Sequence, residues 1–169
     1  MSPFDLYREE TSWWSFADHA TVLSTVRRLR PRTVLEFGPG SSTLALIEGG
    51  AERIDCCEDD PVWFLTYCHR LEDVYPRIVR MRPYQWSVDL VIPGLRDTYD
   101  FALIDGPQAI ERRGAAIGFA AARCRHVMVA LEEGEPNDLR AHVEALDRPV
   151  EYLPSGPLAG TFALVGPAC

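Results

Sequence analysis

Val34-Leu35-Glu36-Phe37-Gly38-Pro39-Gly40-Ser41-Ser42-Thr43 decides the reading of this 169-residue chain. The apolar run from Thr33 to Phe37 reads as a buried strand. It stops at Gly38 and Gly40, and the cluster Ser41-Ser42-Thr43 starts a helix at once. Strand, tight turn and helix N-terminus, in that order, are the parts from which α/β folds build a nucleotide-type binding site. Gly38 can take backbone angles closed to other residues, and Gly40 removes a side chain where a ligand approaches the backbone. The free N–H groups and positive dipole end of the helix favour an anionic group, a carboxylate or a phosphate.

A second marker lies downstream. Arg53 to Cys57 reads as another buried strand, closed by Glu58. An acid about 20 residues past the glycine turn, at the tip of the second strand, is placed to accept hydrogen bonds from ribose hydroxyls. A dinucleotide fingerprint wants glycine at position 43, where this chain has Thr43. Glu36 also stands two residues before the first glycine. An acid there suits a ligand carrying an ammonium group and repels a pyrophosphate.

Glu36-Phe37-Gly38-Pro39-Gly40 followed by Glu58 resembles the class I S-adenosylmethionine-dependent methyltransferases. Their motif I is acid-x-Gly-x-Gly-x-Gly after the first strand, and their second-strand acid binds the ribose. The resemblance runs from about Ala17 to the C-terminus and departs from the motif at the third glycine, which is Ser42 here. It implies a Rossmann-like sheet in the order 3-2-1-4-5-7-6, with S-adenosylmethionine as cofactor and S-adenosylhomocysteine as product. It implies cofactor contacts from Glu36, Gly38, Pro39, Gly40, Ser41, Ser42, Glu58 and Asp59. Tyr99 to Pro107 is similar to the family's fourth motif, whose terminal acid faces the transferred methyl. That acid is Asp105, a candidate to touch the cofactor and to orient the acceptor or take its proton. Adenine recognition after the third strand falls to Gln85 and Trp86, with the Tyr84 ring beside them.

Helix and strand patterns alternate along the whole chain, which predicts an α/β fold with a mostly parallel sheet and helices on both faces. Helices are expected over Phe16–Leu29, Ser42–Glu48, Pro61 to about Asp73, Ala109–Arg123 and Pro136–Leu146. Strands are expected over Thr33–Phe37, Arg53–Cys57, Arg77–Met81, Asp100–Ile104 and His126–Leu131. Val150–Leu153 and Thr161–Val165 form a closing antiparallel hairpin. Seven strands with helices between the first six result, and the stretch from Pro83 to Asp97 carries no assignment of its own. Every connection is short, so the whole chain reads as one domain with no large insertion over the site.

Composition narrows the function classes. Hydrophobic residues make up 47% and charged residues 25%, the balance of a globular domain with a sizeable core. The net charge of −8 repels a nucleic-acid backbone, so no nucleic-acid partner is expected. Arg27, Arg28, Arg30 and Arg32 read as the solvated end of a helix. There are five cysteines with no Cys-x-x-Cys spacing. Cys56, Cys57 and Cys124 lie in or beside apolar segments and pack as small hydrophobes, which implies a reducing, cytoplasmic setting. No signal peptide and no membrane-length apolar run is visible, so no membrane partner is expected.

Other constellations stand beside these. Asp105 with Glu132 or Glu133 gives hard oxygen ligands suited to Mg²⁺ or Ca²⁺, but an incomplete set, so no metal is assigned. Trp13-Trp14 read as a packing staple before the first helix or as a lid. Arg112-Arg113 read as a solvent-facing pair or as a clamp on an anionic acceptor. No histidine falls at a strand tip, so no histidine base is indicated. The reading is a methyltransferase acting on an oxygen or nitrogen of a small-molecule acceptor, with room for a homodimer that completes the pocket. The alternatives are a non-catalytic S-adenosylmethionine-binding module and a dinucleotide-binding oxidoreductase.

Overall fold

Val34, Leu35 and Phe37 are wholly buried because β1 (Thr33–Phe37) runs through the middle of a sheet covered on both faces. The computed structural model describes residues 16–65, 69–85, 90–107, 110–131, 138–154 and 161–168. β1 pairs in parallel with β2 (Arg53–Glu58) on one side and β4 (Tyr99–Ile104) on the other. β3 (Val79–Pro83) lies outside β2, and β5 (Cys124–Leu131) lies outside β4. β7 (Thr161–Val165) joins β5 antiparallel, and β6 (Val150–Pro154) closes the edge antiparallel to β7. The order β3-β2-β1-β4-β5-β7-β6 is the one the family resemblance implies.

Two cores follow from the alternation of side chains along the strands. On one face, Val22 and Val26 of α1 (Phe16–Leu29), Leu44 and Leu46 of α2 (Ser41–Glu48) and Leu71 pack against Val34, Ile54 and Phe101. On the other, Ala116, Ile117 and Ala120 of α5 (Ile110–Ala121) and Leu139 and Val143 of α6 (Asp138–Glu144) pack against Leu35, Phe37 and Ile104. Cys56, Cys57 and Cys124 are buried free thiols within these cores. Between β2 and β3 lie α3 (Pro61–Trp63) and α4 (His69–Val74).

The stretch between β3 and β4, left unassigned from the sequence, holds no helix among the described residues. Leu90, Ile92 and Leu95 lie against the second core in its place. Pro93 has no N–H for a helix ladder, and Gly94 stands at φ +78°, so the chain turns there. The helix expected from Pro61 to Asp73 is described as α3 and α4. β3 starts two residues later than expected, because the N–H groups of Ile78 and Val79 both close on the Tyr75 carbonyl at 3.0 Å. β5 starts two residues earlier, since Cys124 pairs with Tyr99 at the base of the sheet.

Arg27, Arg28 and Arg32 of the predicted basic cluster sit at the surface in ion pairs. Arg27 meets Glu48, Arg28 meets Glu151 and Arg32 meets Glu52 at 2.8–3.1 Å. Among the described residues, no helix is long and apolar enough to cross a membrane.

Candidate functional site

The parallel strands carry their tips to one edge, and the glycine turn stands at its centre. Gly38 leaves β1 at φ +79°, and its N–H donates to the Cys57 carbonyl of β2 at 3.1 Å. On the other side, the Asp105 N–H donates to the Phe37 carbonyl at 2.9 Å. A Cβ on Gly38 would lie 2.7 Å from the Gly106 backbone nitrogen, and one on Gly106 would lie 2.9 Å from the Gly38 Cα. Both glycines are therefore required by close backbone contact, and Gly38 by its dihedral as well. The Gly106–Pro107 peptide is cis.

Glu36 braces this turn from beneath. It is fully buried, and its carboxylate accepts from the Ser42 hydroxyl at 2.7 Å, the Thr43 hydroxyl at 2.8 Å and the Cys56 thiol at 3.2 Å. The Thr43 hydroxyl also accepts the Gly40 N–H at 3.1 Å, so Glu36, Thr43 and the N-terminus of α2 form one relay. Burial pushes the Glu36 carboxyl up to about 7, with the three donors pulling the other way. The sequence reading puts Glu36 on the ligand. The structure seals it under the turn, where its contacts are with Ser42, Thr43 and Cys56. Pro39, Gly40 and Ser42 are buried with it, while Ser41 is half-buried at the start of α2. Gly40 has extended backbone at φ −168°.

The tip of β2 supplies three consecutive acids with three different tasks. Glu58 accepts the Asp60 N–H at 2.8 Å, and burial pushes its carboxyl up to about 7. Asp59 meets Arg112 at 3.3 Å. Asp60 caps α3 by accepting from the N–H groups of Val62 and Trp63 at 2.8 and 3.1 Å. That cap fixes Trp63, whose indole N–H donates to the Pro39 carbonyl at 3.0 Å. Trp63 thereby ties the β2 tip to the glycine turn. Sequence reasoning missed it, although an aromatic in the first turn after Asp60-Pro61 was the available signal.

At the tip of β3, the Tyr84 N–H donates to the Glu58 carbonyl at 3.1 Å. Its ring is buried edge-on against Phe37, with centroids 6.1 Å apart. Gln85 follows, exposed. Trp86, the other adenine candidate, lies outside the described residues, as do Trp13, Trp14, Glu132 and Glu133.

Asp105 stands half-buried at the end of β4, beside Gly106. The two arginines that follow separate. Arg112 crosses to Asp59 on β2, and its side chain keeps 47% of its surface exposed. Arg113 is fully buried, and its Nε donates to the Pro107 carbonyl at 3.0 Å. A solvent-facing pair was one expectation, and it fails for Arg113. Its position three and four residues before Ala116 and Ile117 puts it on the inward stripe of α5. Among the described residues, no group of three His, Cys, Asp or Glu side chains could hold a metal ion.

No protein-family model matches this chain, and no curated protein matches its sequence. Solved structures do match. The methyltransferase PaMTH1 of Podospora anserina, crystallised with bound SAH, is 14% identical, with a TM-score of 0.67 over 98% of this chain and 86% of that one. The O-methyltransferase TomG of Streptomyces achromogenes, involved in tomaymycin synthesis and solved with SAM, is 15% identical, with a TM-score of 0.68 over 96% and 86%. An O-methyltransferase of Bacillus cereus in complex with SAH is 14% identical, with a TM-score of 0.68 over 98% and 87%.

This chain has the class I methyltransferase fold. In such a sheet the ligand crevice opens beyond the carboxyl ends of the strands, where the strand order reverses. Here that point lies between β1 and β4, and the methyltransferase fold gathers Gly38, Glu58, Tyr84 and Asp105 around it.

Proposed function

We propose that this protein is an S-adenosylmethionine-dependent methyltransferase acting on an oxygen or nitrogen of a small-molecule acceptor. The observation that carries the reading is the meeting of the Gly38 turn, Glu58 and Asp105 at one edge of the sheet. Gly38 and Gly106 let the tips of β1 and β4 pack backbone on backbone, which holds the glycine turn and Asp105 side by side at that edge. Glu58 is anchored by Asp60 and offers a carboxylate to a ribose diol. The solved O-methyltransferases with SAM or SAH support the same assignment.

When bound, the cofactor supplies a methyl group on a sulfonium, which is intrinsically ready to transfer. The chain's own work is then orientation and exclusion of water. The Gly38 turn and the N-terminus of α2 hold the amino-acid end. Glu58 holds the sugar. Asp105, reaching over from β4, orients the acceptor or accepts its proton. The net charge of −8 supports a small molecule over a nucleic acid as acceptor. Buried free thiols support a reducing, cytoplasmic setting, and the short connections support a second copy of the chain completing the pocket.

Calorimetric titration with S-adenosylmethionine, S-adenosylhomocysteine and NAD, repeated on Glu58→Ala, tests this. Micromolar-range binding of both sulfur ligands, lost in the variant, is the expected result. Binding of NAD alone, or of nothing, overturns it.

A further inference from the structure

We propose that Arg113 is a positioning residue that sets the tip of β4 against the glycine turn, and so shapes the crevice from inside the core. The inference rests on the functional reading above for what the crevice binds.

The inward stripe of α5 reads Arg113, Ala116, Ile117, Ala120, and all four residues are fully buried. Three are apolar, and an aliphatic side chain at the fourth position would satisfy packing. A guanidinium there has to be desolvated and needs acceptors, which makes it a costly choice for packing alone. Its Nε finds the Pro107 carbonyl at 3.0 Å, six residues back along the chain. Pro107 follows Asp105 and Gly106, and Gly106 presses its backbone on Gly38. The contact therefore runs from Arg113 to Pro107, from Gly106 to Gly38, and from Asp105 to the Phe37 carbonyl. A shift of this tip would move Asp105 and the floor of the glycine turn together. A planar fork with several donors suits this task, whereas an ammonium on a flexible stem holds a carbonyl less rigidly.

The test compares Arg113→Lys with Ile117→Val, a packing change on the same stripe that leaves the Pro107 contact intact. Two readouts are taken on each: affinity for S-adenosylhomocysteine, and hydrogen exchange at the Gly38 and Asp105 amides, with the melting temperature as reference. Arg113→Lys is expected to weaken the ligand about tenfold and to speed exchange at both amides, beyond what its melting temperature explains. Ile117→Val is expected to leave affinity unchanged. Equal effects of the two variants at equal loss of melting temperature would make Arg113 only a core residue and overturn the proposal. If the wild type binds no adenosyl ligand, the functional reading fails by itself, and the exchange rates still decide whether Arg113 sets the tip.

Discussion

Gly38 and Gly106 press backbone on backbone across the tips of β1 and β4, so closely that a Cβ on Gly38 would sit 2.7 Å from the Gly106 nitrogen. The contact makes one rigid floor from two strand ends that are 68 residues apart in sequence. Gly38→Ala meets both this clash and an unfavourable dihedral of +79°. It should lose about 1–3 kcal/mol of stability and most of its affinity for S-adenosylhomocysteine. Gly106→Ala should act in the same direction. Because either methyl group forces the same separation, the double variant should cost less than the sum, which denaturant unfolding of the four proteins reads directly. Strict additivity would mean the two glycines are needed for separate reasons.

Glu58 carries a different expectation, in pH. Burial raises its carboxyl to about 7, so near neutrality it is only partly ionised. The ionised form is the better acceptor for ribose hydroxyls. Affinity for S-adenosylhomocysteine should therefore rise as pH goes from 6 to 8. Glu58→Gln should bind more weakly and lose that dependence, which calorimetry at three pH values checks. A variant that keeps the wild-type slope would place the titrating group elsewhere.

The fold was legible in the sequence because burial on both faces writes itself as apolar runs. β1, β2 and β4 read almost as they stand, while the order that sets β1 between β2 and β4 was implied by the family resemblance and not by spacing. The segment after β3 was not legible. Its Leu90, Ile92 and Leu95 carry the apolar content of a helix, but Pro93 and Gly94 deny it helical geometry. In the site, residue types were readable and orientations were not. Glu36 looked like a ligand contact, and only the hydroxyls of Ser42 and Thr43 and the Cys56 thiol, folded onto it, reveal a brace. Arg112 and Arg113 look equivalent in sequence, yet the 100° step between neighbours on a helix sends one to Asp59 and the other into the core.

Trp63 tests the tie between β2 and the turn. Its indole N–H donates to the Pro39 carbonyl, and Trp63→Phe removes that donor while keeping an aromatic ring. The loss should be about 1 kcal/mol in stability, with a parallel loss of ligand affinity because Pro39 lies inside the turn. Unfolding curves combined with calorimetry separate the two. Unchanged affinity at reduced stability would limit Trp63 to scaffolding.

Glu36 links stability to pH with a definite sign. Its ordinary value of 4.5 is raised to about 7 in the folded chain, chiefly by burial. Between those values the folded state holds a proton that the unfolded state has released. Stability from this group is therefore fullest near and below pH 4.5, and it falls as pH rises through 7. At about 1.4 kcal/mol per pKa unit, the full effect is on the order of 3 kcal/mol. Glu36→Gln has no proton to lose, and its amide can still accept from one hydroxyl and donate to the other. Melting temperatures of the two proteins from pH 5 to 8 should diverge, the wild type falling relative to the variant as pH rises. Because every other titrating group is common to both, parallel curves would mean that Glu36 keeps an ordinary carboxylate's behaviour despite its burial.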